Sequence, residues 1–549
     1  MRMNGNLRFT ACLLMASLVI PGCMHTEPKA DKEAYLAEAI EPLPPPPPSP
    51  AMHKRAMMAA PAGAPAAMPP RQPSSPVEFN TEGYDRVTEN PFLDVLNNPL
   101  STFSIDVDTA SYTNVRRFIT GGSLPPPDAV RIEEMVNYFD YDYPQPGKGE
   151  PFSFTTELTD APWQPGNRLL LIGLQGLKVP TDKLPPANLV FLIDVSGSMS
   201  DENKLPLLIK SFKLLVGQLR SQDRVAIAVY AGQAGLVLPS TGGDEKHKIL
   251  AALESLQSGG STAGGAGIQL AYKVAKENFI KGGNNRVILA TDGDFNVGAS
   301  SDAEMERLIE EKRNDGIFLS VLGYGMGNYK DSKMQKLADK GNGNYAYIDN
   351  LLEAKKVLVS QFGGTMLTIA KDVKMQVEFN PAKVKSYRLI GYEKRMLRAE
   401  DFADDKKDAG ELGSGHTVTA LYEIVPVTGE ADVNRELTYQ DVRVKESARK
   451  SPELATIRFR YKKPDGDVSR ELVRKIPSTA VGIGTASENI RFAAAVAEWG
   501  MLLRKSEYKG KANYAQVLDL ARKAKGTDDP GYRAEFIRLV EMAELQGGK

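Results

Sequence analysis

Five oxygen-bearing side chains stand at three separated points of the chain. Asp194, Ser196 and Ser198 fall in "DVSGSMS" after the apolar run "NLVFLI", Thr262 falls in "SGGSTAGGAG", and Asp292 falls in "VILATDGD". Two carboxylates and three hydroxyls, with neither cysteine nor histidine among them, form a set of hard oxygen donors. Such a set suits Mg²⁺, or Mn²⁺ or Ca²⁺ in its place, and argues against zinc. The glycines around them have mechanical roles: Gly197 lets the first loop turn tightly, and Gly264, Gly265 and Gly267 allow close backbone approach.

The same serines could instead be nucleophiles. That chemistry needs a base within hydrogen-bond reach. The chain offers four histidines, His25, His53, His247 and His416, and none is adjacent in sequence to the serines. "VSGS" also lacks the GxSxG elbow. Metal-assisted hydrolysis, with Asp294 near the ion, is the alternative enzymatic reading. The expectation is a protein that is not an enzyme and has no catalytic residues. Hydroxyls that merely cap the next helix would account for Ser198 or Ser200 singly, but not for the coincidence with Thr262 and Asp292.

The elements that must position these residues follow from the hydropathy pattern. Between Asn188 and about Gly363, near-continuous apolar runs ("NLVFLID", "DRVAIAVYA", "NRVILATDGD", "IFLSVLGYG", "GNYAYID") alternate with amphipathic segments of helical period. This predicts a doubly wound parallel sheet covered on both faces. Ligands of such sheets bind beyond the carboxyl ends of the strands, where the strand order reverses. All three oxygen-bearing stretches lie at strand ends.

With that framework in place, "DVSGSMS", Thr262 and "TDGD" together resemble the metal-ion-dependent adhesion site of the von Willebrand factor type A domain. The resemblance implies Ser196 and Ser198 as direct ligands. Thr262 would bind directly or through water, and Asp194 and Asp292 mainly through water or in part directly. It also implies a partner protein that offers an Asp or Glu carboxylate to the ion. "NPLSTFSIDVDTASY", "PPPDAVRIEEMVNYFDYDYP" and "NIRFAAAVAEWGMLLRKSEYKG" are similar to flanking regions of bacterial lipoproteins that carry this domain, with an N-terminal accessory region and a C-terminal domain of unknown function.

The first 22 residues read as an export signal, two arginines followed by a short apolar core that is too brief for a membrane span. The ending Ile20-Pro21-Gly22-Cys23 resembles a lipobox, which implies a lipid on Cys23 and a cell-envelope location. Met24 after the cysteine implies sorting to the outer membrane of a diderm bacterium. Only two cysteines occur, Cys12 and Cys23, so no disulfide is expected and packed cores must hold the fold. Residues 41–76 are rich in Pro and Ala, a tether that at ~3.1 Å per residue reaches on the order of 110 Å. The 68 Lys+Arg against 69 Asp+Glu leave no basic field to gather phosphates, so nucleic acid is not an expected partner.

At 549 residues the chain exceeds a single core. The expected organisation is a signal over 1–22, the lipidated cysteine and tether over 23–78, and an accessory region over 79–150. Two strands follow over 151–182, then the type A domain over 185–365, a β-sandwich over 370–480 and helices over 486–549. The two strands at 152–178 lack partners of their own and are expected to complete the sandwich, which makes the type A domain an insertion. The fold class is therefore α/β plus β. Asp128 is expected to cap a helix running to Phe139, and Asp106 and Asp108 to share a solvated strand face.

Overall fold

The computed structural model describes residues 82–547 apart from 107, 261–263, 294–300, 328, 408, 429–434, 437, 440 and 465. The export signal, Cys23 and the tether therefore lie outside the described residues, as do Thr262 and Asp294.

The apolar runs of the middle region form one six-stranded sheet. Its spatial order is Tyr345–Tyr347, Ile317–Gly323, Asn284–Thr291, Ala187–Asp194, Arg224–Tyr230, Ala234–Gly242. The first five strands are parallel, and the last pairs antiparallel on the edge. Strand alternation divides the side chains between two cores. Leu189, Phe191 and Ile193 pack with Leu208, Phe212 and Leu215 of the Leu205–Gln218 helix, while Val190 and Leu192 pack with Ile268, Ala271 and Tyr272 of the Gly264–Glu277 helix. From Ala187–Asp194 the chain moves to Arg224–Tyr230 on one side and later crosses to Asn284–Thr291 on the other. The strand order thus reverses at Asp194.

The five apolar runs read from the sequence do not include the edge strand Ala234–Gly242, which the helix Lys246–Glu254 follows. The reason is that this edge strand, with Leu236 and Val237 both exposed and Pro239 inside it, shows no alternation of buried and exposed side chains.

Two antiparallel sheets enclose a third core. One has the order Leu93–Asp94, Val384–Ile390, Thr417–Pro426, Arg168–Gly176, Phe152–Asp160. The other runs Met396–Leu397, Leu100–Ser104, Thr368–Phe379, Glu453–Lys462, Ser469–Pro477, with Gly410–Gly413 also paired to Thr368–Phe379. Phe103, Leu170, Ile172, Met375, Val377, Tyr422 and Ile457 fill the space between them. The chain leaves the sandwich at Leu177–Val179 and returns at Leu367, and both crossings are stitched to one turn. Gly415 N donates to Leu177 O (3.1 Å), Val179 N to Ser414 Oγ (2.8 Å), and Ser414 N to Leu367 O (2.8 Å).

The outer face of the first sheet carries the helices. Glu488–Arg504 begins at Ser487, whose hydroxyl accepts from Ile490 N, and it is buried on nearly every side by Tyr514–Lys523, Tyr532–Gly547, Ala110–Thr120 and Ile132–Asn137. Leu169, Leu171 and Leu421 of the sheet join that core.

Two local expectations are corrected. Asp128 caps no helix: Pro127–Ala129 is a single 3₁₀ turn, the helix starts at Ile132, and Asp128 Oδ1 accepts from Val87 N. Asp108 is buried, because its carboxylate accepts from Tyr345 N (3.0 Å), Gln335 Nε2 and Arg395 Nη2. It serves to join the N-terminal region to the parallel sheet, and strand alternation alone could not reveal that docking.

Candidate metal centre

Asp194 ends its strand at the point of reversal and is fully buried. Its Oδ1 accepts from Ser196 N (2.9 Å), and its Oδ2 accepts from Tyr230 Oη (3.0 Å) and Thr291 Oγ1 (3.0 Å). Burial pushes its pKa up; the Ser196 hydrogen bonds pull it down, and the Asp292 charge pushes it up again. Two neutral hydroxyls from the adjacent strands therefore hold the carboxylate in one orientation.

The chain then folds over the strand end. Ser196 is buried and Ser198 exposed, with their hydroxyl oxygens 3.1 Å apart. The loop is pinned by Val195 N to Tyr230 O (3.0 Å) and by Gly197 N to Gly260 O (3.0 Å), so the stretch that leads to Thr262 lies against "DVSGSMS". Asp292, also fully buried, follows the Asn284–Thr291 strand beside Ala187–Asp194. Gly293 after it takes φ +98°, and a Cβ there would come within 2.6 Å of Lys330 N, so only glycine fits this turn.

The structure thus brings Asp194, Ser196, Ser198 and Asp292 to one strand-end cluster; Thr262 lies outside the described residues. Sequence reasoning missed three participants. Tyr230 and Thr291 orient Asp194, and Lys204 Nζ donates to Asp292 Oδ2 (3.1 Å) and to Ser198 O (2.9 Å). Lys204 sits only six residues after Ser198 in "DENKLP", and its charge beside so many oxygens was the available signal. Of the histidines, His25 and His53 lie outside the described residues, His247 is in the Lys246–Glu254 helix, and His416 packs on Gly364 at the sandwich side, with burial lowering its pKa.

Over 471 residues the chain is 47% identical to the uncharacterized protein YfbK of Escherichia coli (strain K12), covering 84% of this chain and 81% of that one. The chain belongs to the YfbK family. Family models agree along its length: von Willebrand factor over residues 78–171, von Willebrand factor type A domain over 188–360, and the C-terminal region of YfbK over 364–545. The Magnesium-chelatase 67 kDa subunit of Chlorobaculum tepidum is 25% identical over 238 residues, 38% of each chain. Among solved structures, the von Willebrand factor type A protein from Catenulispora acidiphila covers 70% of this chain and 89% of its own at 14% identity and a TM-score of 0.39.

Type A domains generally mediate metal-dependent protein interactions, and the donors of this YfbK-family chain can be tested for that use. Among the described residues no group of three or more His, Cys, Asp or Glu gathers to hold an ion. The Ser196 and Ser198 pair adds two hydroxyl oxygens to the carboxylates of Asp194 and Asp292. Two buried carboxylates facing one buried ammonium leave one net negative charge, which a divalent cation would turn into one net positive charge. The residues fit a hard divalent ion that keeps an external ligand. No helix among the described residues is long and apolar enough to cross a membrane.

Proposed function

We propose that this protein is an envelope-anchored protein-binding module that captures a partner's Asp or Glu side chain at a Mg²⁺-type adhesion site made by Asp194, Ser196, Ser198, Thr262 and Asp292. The observation that carries this reading is the convergence of two sealed carboxylates and a hydroxyl pair at the reversal point of the sheet. When bound, the ion supplies a Lewis-acidic point for a carboxylate. The protein does the rest. Tyr230 and Thr291 fix Asp194, the Gly197–Gly260 contact holds the serine loop, and Lys204 offsets part of the Asp292 charge, so that the loaded site is left cationic and attracts an anionic side chain. Surrounding surface completes affinity.

Cys23 would bear the lipid, and residues 23–78 would hold the folded part away from an outer membrane. Labelled fatty acid incorporated by wild type and lost in Cys23→Ala tests that half. For the site, calorimetric titration of Mg²⁺ or Mn²⁺ into wild type, Asp194→Ala and Asp292→Ala should give binding by wild type alone, and a partner pulldown should fail with EDTA. A wild type that binds neither ion sinks the proposal. Metal-dependent turnover of a generic ester or phosphate ester would favour a hydrolase instead.

A further inference from the structure

At the opposite end of the parallel strands, about 20 Å from Asp292 by strand rise, a cavity of about 380 Å³ opens between the sheet and the sandwich. Arg286, Asn344, Arg395, Lys407, Glu411 and His416 are among the residues that line it. We propose that this cavity binds a small anion through a phosphoryl or carboxylate group held by the Arg286 guanidinium.

Arg286 differs from the other buried arginines and from the half-buried Arg395. Arg116 meets Asp349 and Glu353, Arg131 meets Glu134 and Asp331, Arg388 meets Glu423, Arg395 meets Asp108 and Asp339, and Arg504 meets Glu393. Arg286 is 3% exposed, yet among the described residues no carboxylate lies within 4.0 Å of it. Its Nη1 donates to Ser320 Oγ (2.7 Å), its Nε has no partner, and its guanidinium stands 5.5 Å from the Phe318 ring centroid. Burial pulls its pKa down to about 10, against the weaker opposing pull of Glu411. A buried guanidinium without a counter-ion is costly to keep. A bound anion removes that cost.

The neighbouring cations are already engaged. Lys340 pairs with Glu310, and Lys394 with Asp85. Lys407 is exposed on the cavity lining, with no acid in ion-pair range among the described residues, and adds a second positive charge. The planar fork of Arg286 matches two oxygens of one oxyanion, and the volume lies in the range of small-molecule sites. Arg286 and Asn344 come from the parallel-sheet side, and Arg395, Lys407 and His416 from the sandwich side, so a ligand here would bridge the two.

Calorimetric titration of the folded chain with inorganic phosphate and, separately, with citrate tests this. One equivalent of either is expected to bind and to raise the melting midpoint. Arg286→Met should weaken binding by at least about tenfold, the loss expected for a charge-assisted hydrogen bond. Lys407→Glu, at an exposed position that cannot disturb folding, should weaken it by about threefold or more. Binding of phosphate alone assigns a phosphoryl ligand, and binding of citrate alone a carboxylate. If neither binds wild type at about 10 mM, or if Arg286→Met, or Lys407→Glu should that variant not fold, binds as wild type does, the proposal is wrong.

Discussion

Lys204 Nζ lies 3.1 Å from Asp292 Oδ2, so a cation of the chain's own already stands on one of the two carboxylates of the candidate metal centre. Its stem runs past Gly325, where a Cβ would come within 2.4 Å of Lys204 Cε. The ammonium lowers the site's net negative charge and opposes an arriving divalent ion. Lys204→Met should tighten Mg²⁺ binding by about tenfold or more, a few Å of charge separation in a partly buried setting being enough for that. Calorimetry on the variant decides it, and unchanged or weaker affinity would mean that Lys204 supports the loop instead of opposing the ion.

Arg131 ties the N-terminal helices to the loop behind the same site. Its guanidinium bonds Glu134 and Asp331, all three buried, and Asp331 follows the Tyr329–Lys330 backbone that packs on Gly293. Arg131→Met leaves two buried carboxylates without their counter-ion and should cost roughly 3–5 kcal/mol. Arg131→Lys should recover little, since one ammonium cannot reproduce a fork shared between two acids. Denaturant midpoints of the three proteins measure both effects, and a lysine variant as stable as wild type would refute the geometric part.

The features legible in sequence were those with strong local period or unusual residue types. The five parallel strands read as apolar runs, and Asp194, Ser196, Ser198 and Asp292 stood out as oxygen donors at their ends. What stayed hidden depends on distant contact. Asp108 reads as a surface carboxylate until Tyr345, 237 residues away, donates its amide. Tyr230 and Thr291 look like ordinary strand residues until both hydroxyls meet Asp194. Arg286 sits in an apolar strand like any polar interruption, and only the fold reveals that, among the described residues, no carboxylate comes within 4.0 Å of it.

Glu498 gives a stability signature in pH. It lies in the fully packed Glu488–Arg504 helix with Oε1 accepting from Asn513 N (3.3 Å) and Oε2 without a partner, and burial raises its pKa from 4.5 to about 8, the Asn513 bond only partly opposing. The folded chain thus keeps a proton that the unfolded chain has released. The stabilisation is complete below 4.5 and is lost as pH rises through about 8. Glu498→Gln, which never ionises, should unfold at a similar denaturant concentration near pH 4.5 and at a clearly higher one than wild type above pH 8. Parallel pH dependence of the two proteins would exclude this group as the source.

The sandwich should not survive as the contiguous piece 370–480. Its Thr417–Pro426 strand pairs with Val384–Ile390 on one side and, over eight residue pairs, with Arg168–Gly176 on the other, while Thr368–Phe379 pairs with Leu100–Ser104. A 370–480 fragment loses both of those partners and exposes the apolar faces of Met375, Val377, Tyr422 and Ile424 to water, with unpaired strand edges prone to self-association. Expressed alone, it should aggregate or show no cooperative melting transition. A chain that keeps 82–178 and 368–547 and replaces the intervening domain with a short glycine-serine bridge restores every strand, because both crossings already meet at the Ser414–Gly415 turn. That chain gives up the ion pairs of Arg131 with Asp331 and of Arg116 with Asp349 and Glu353, so it should melt cooperatively but below the full protein. A cooperatively folding 370–480 fragment would overturn the view that the segment before the type A domain belongs to the sandwich.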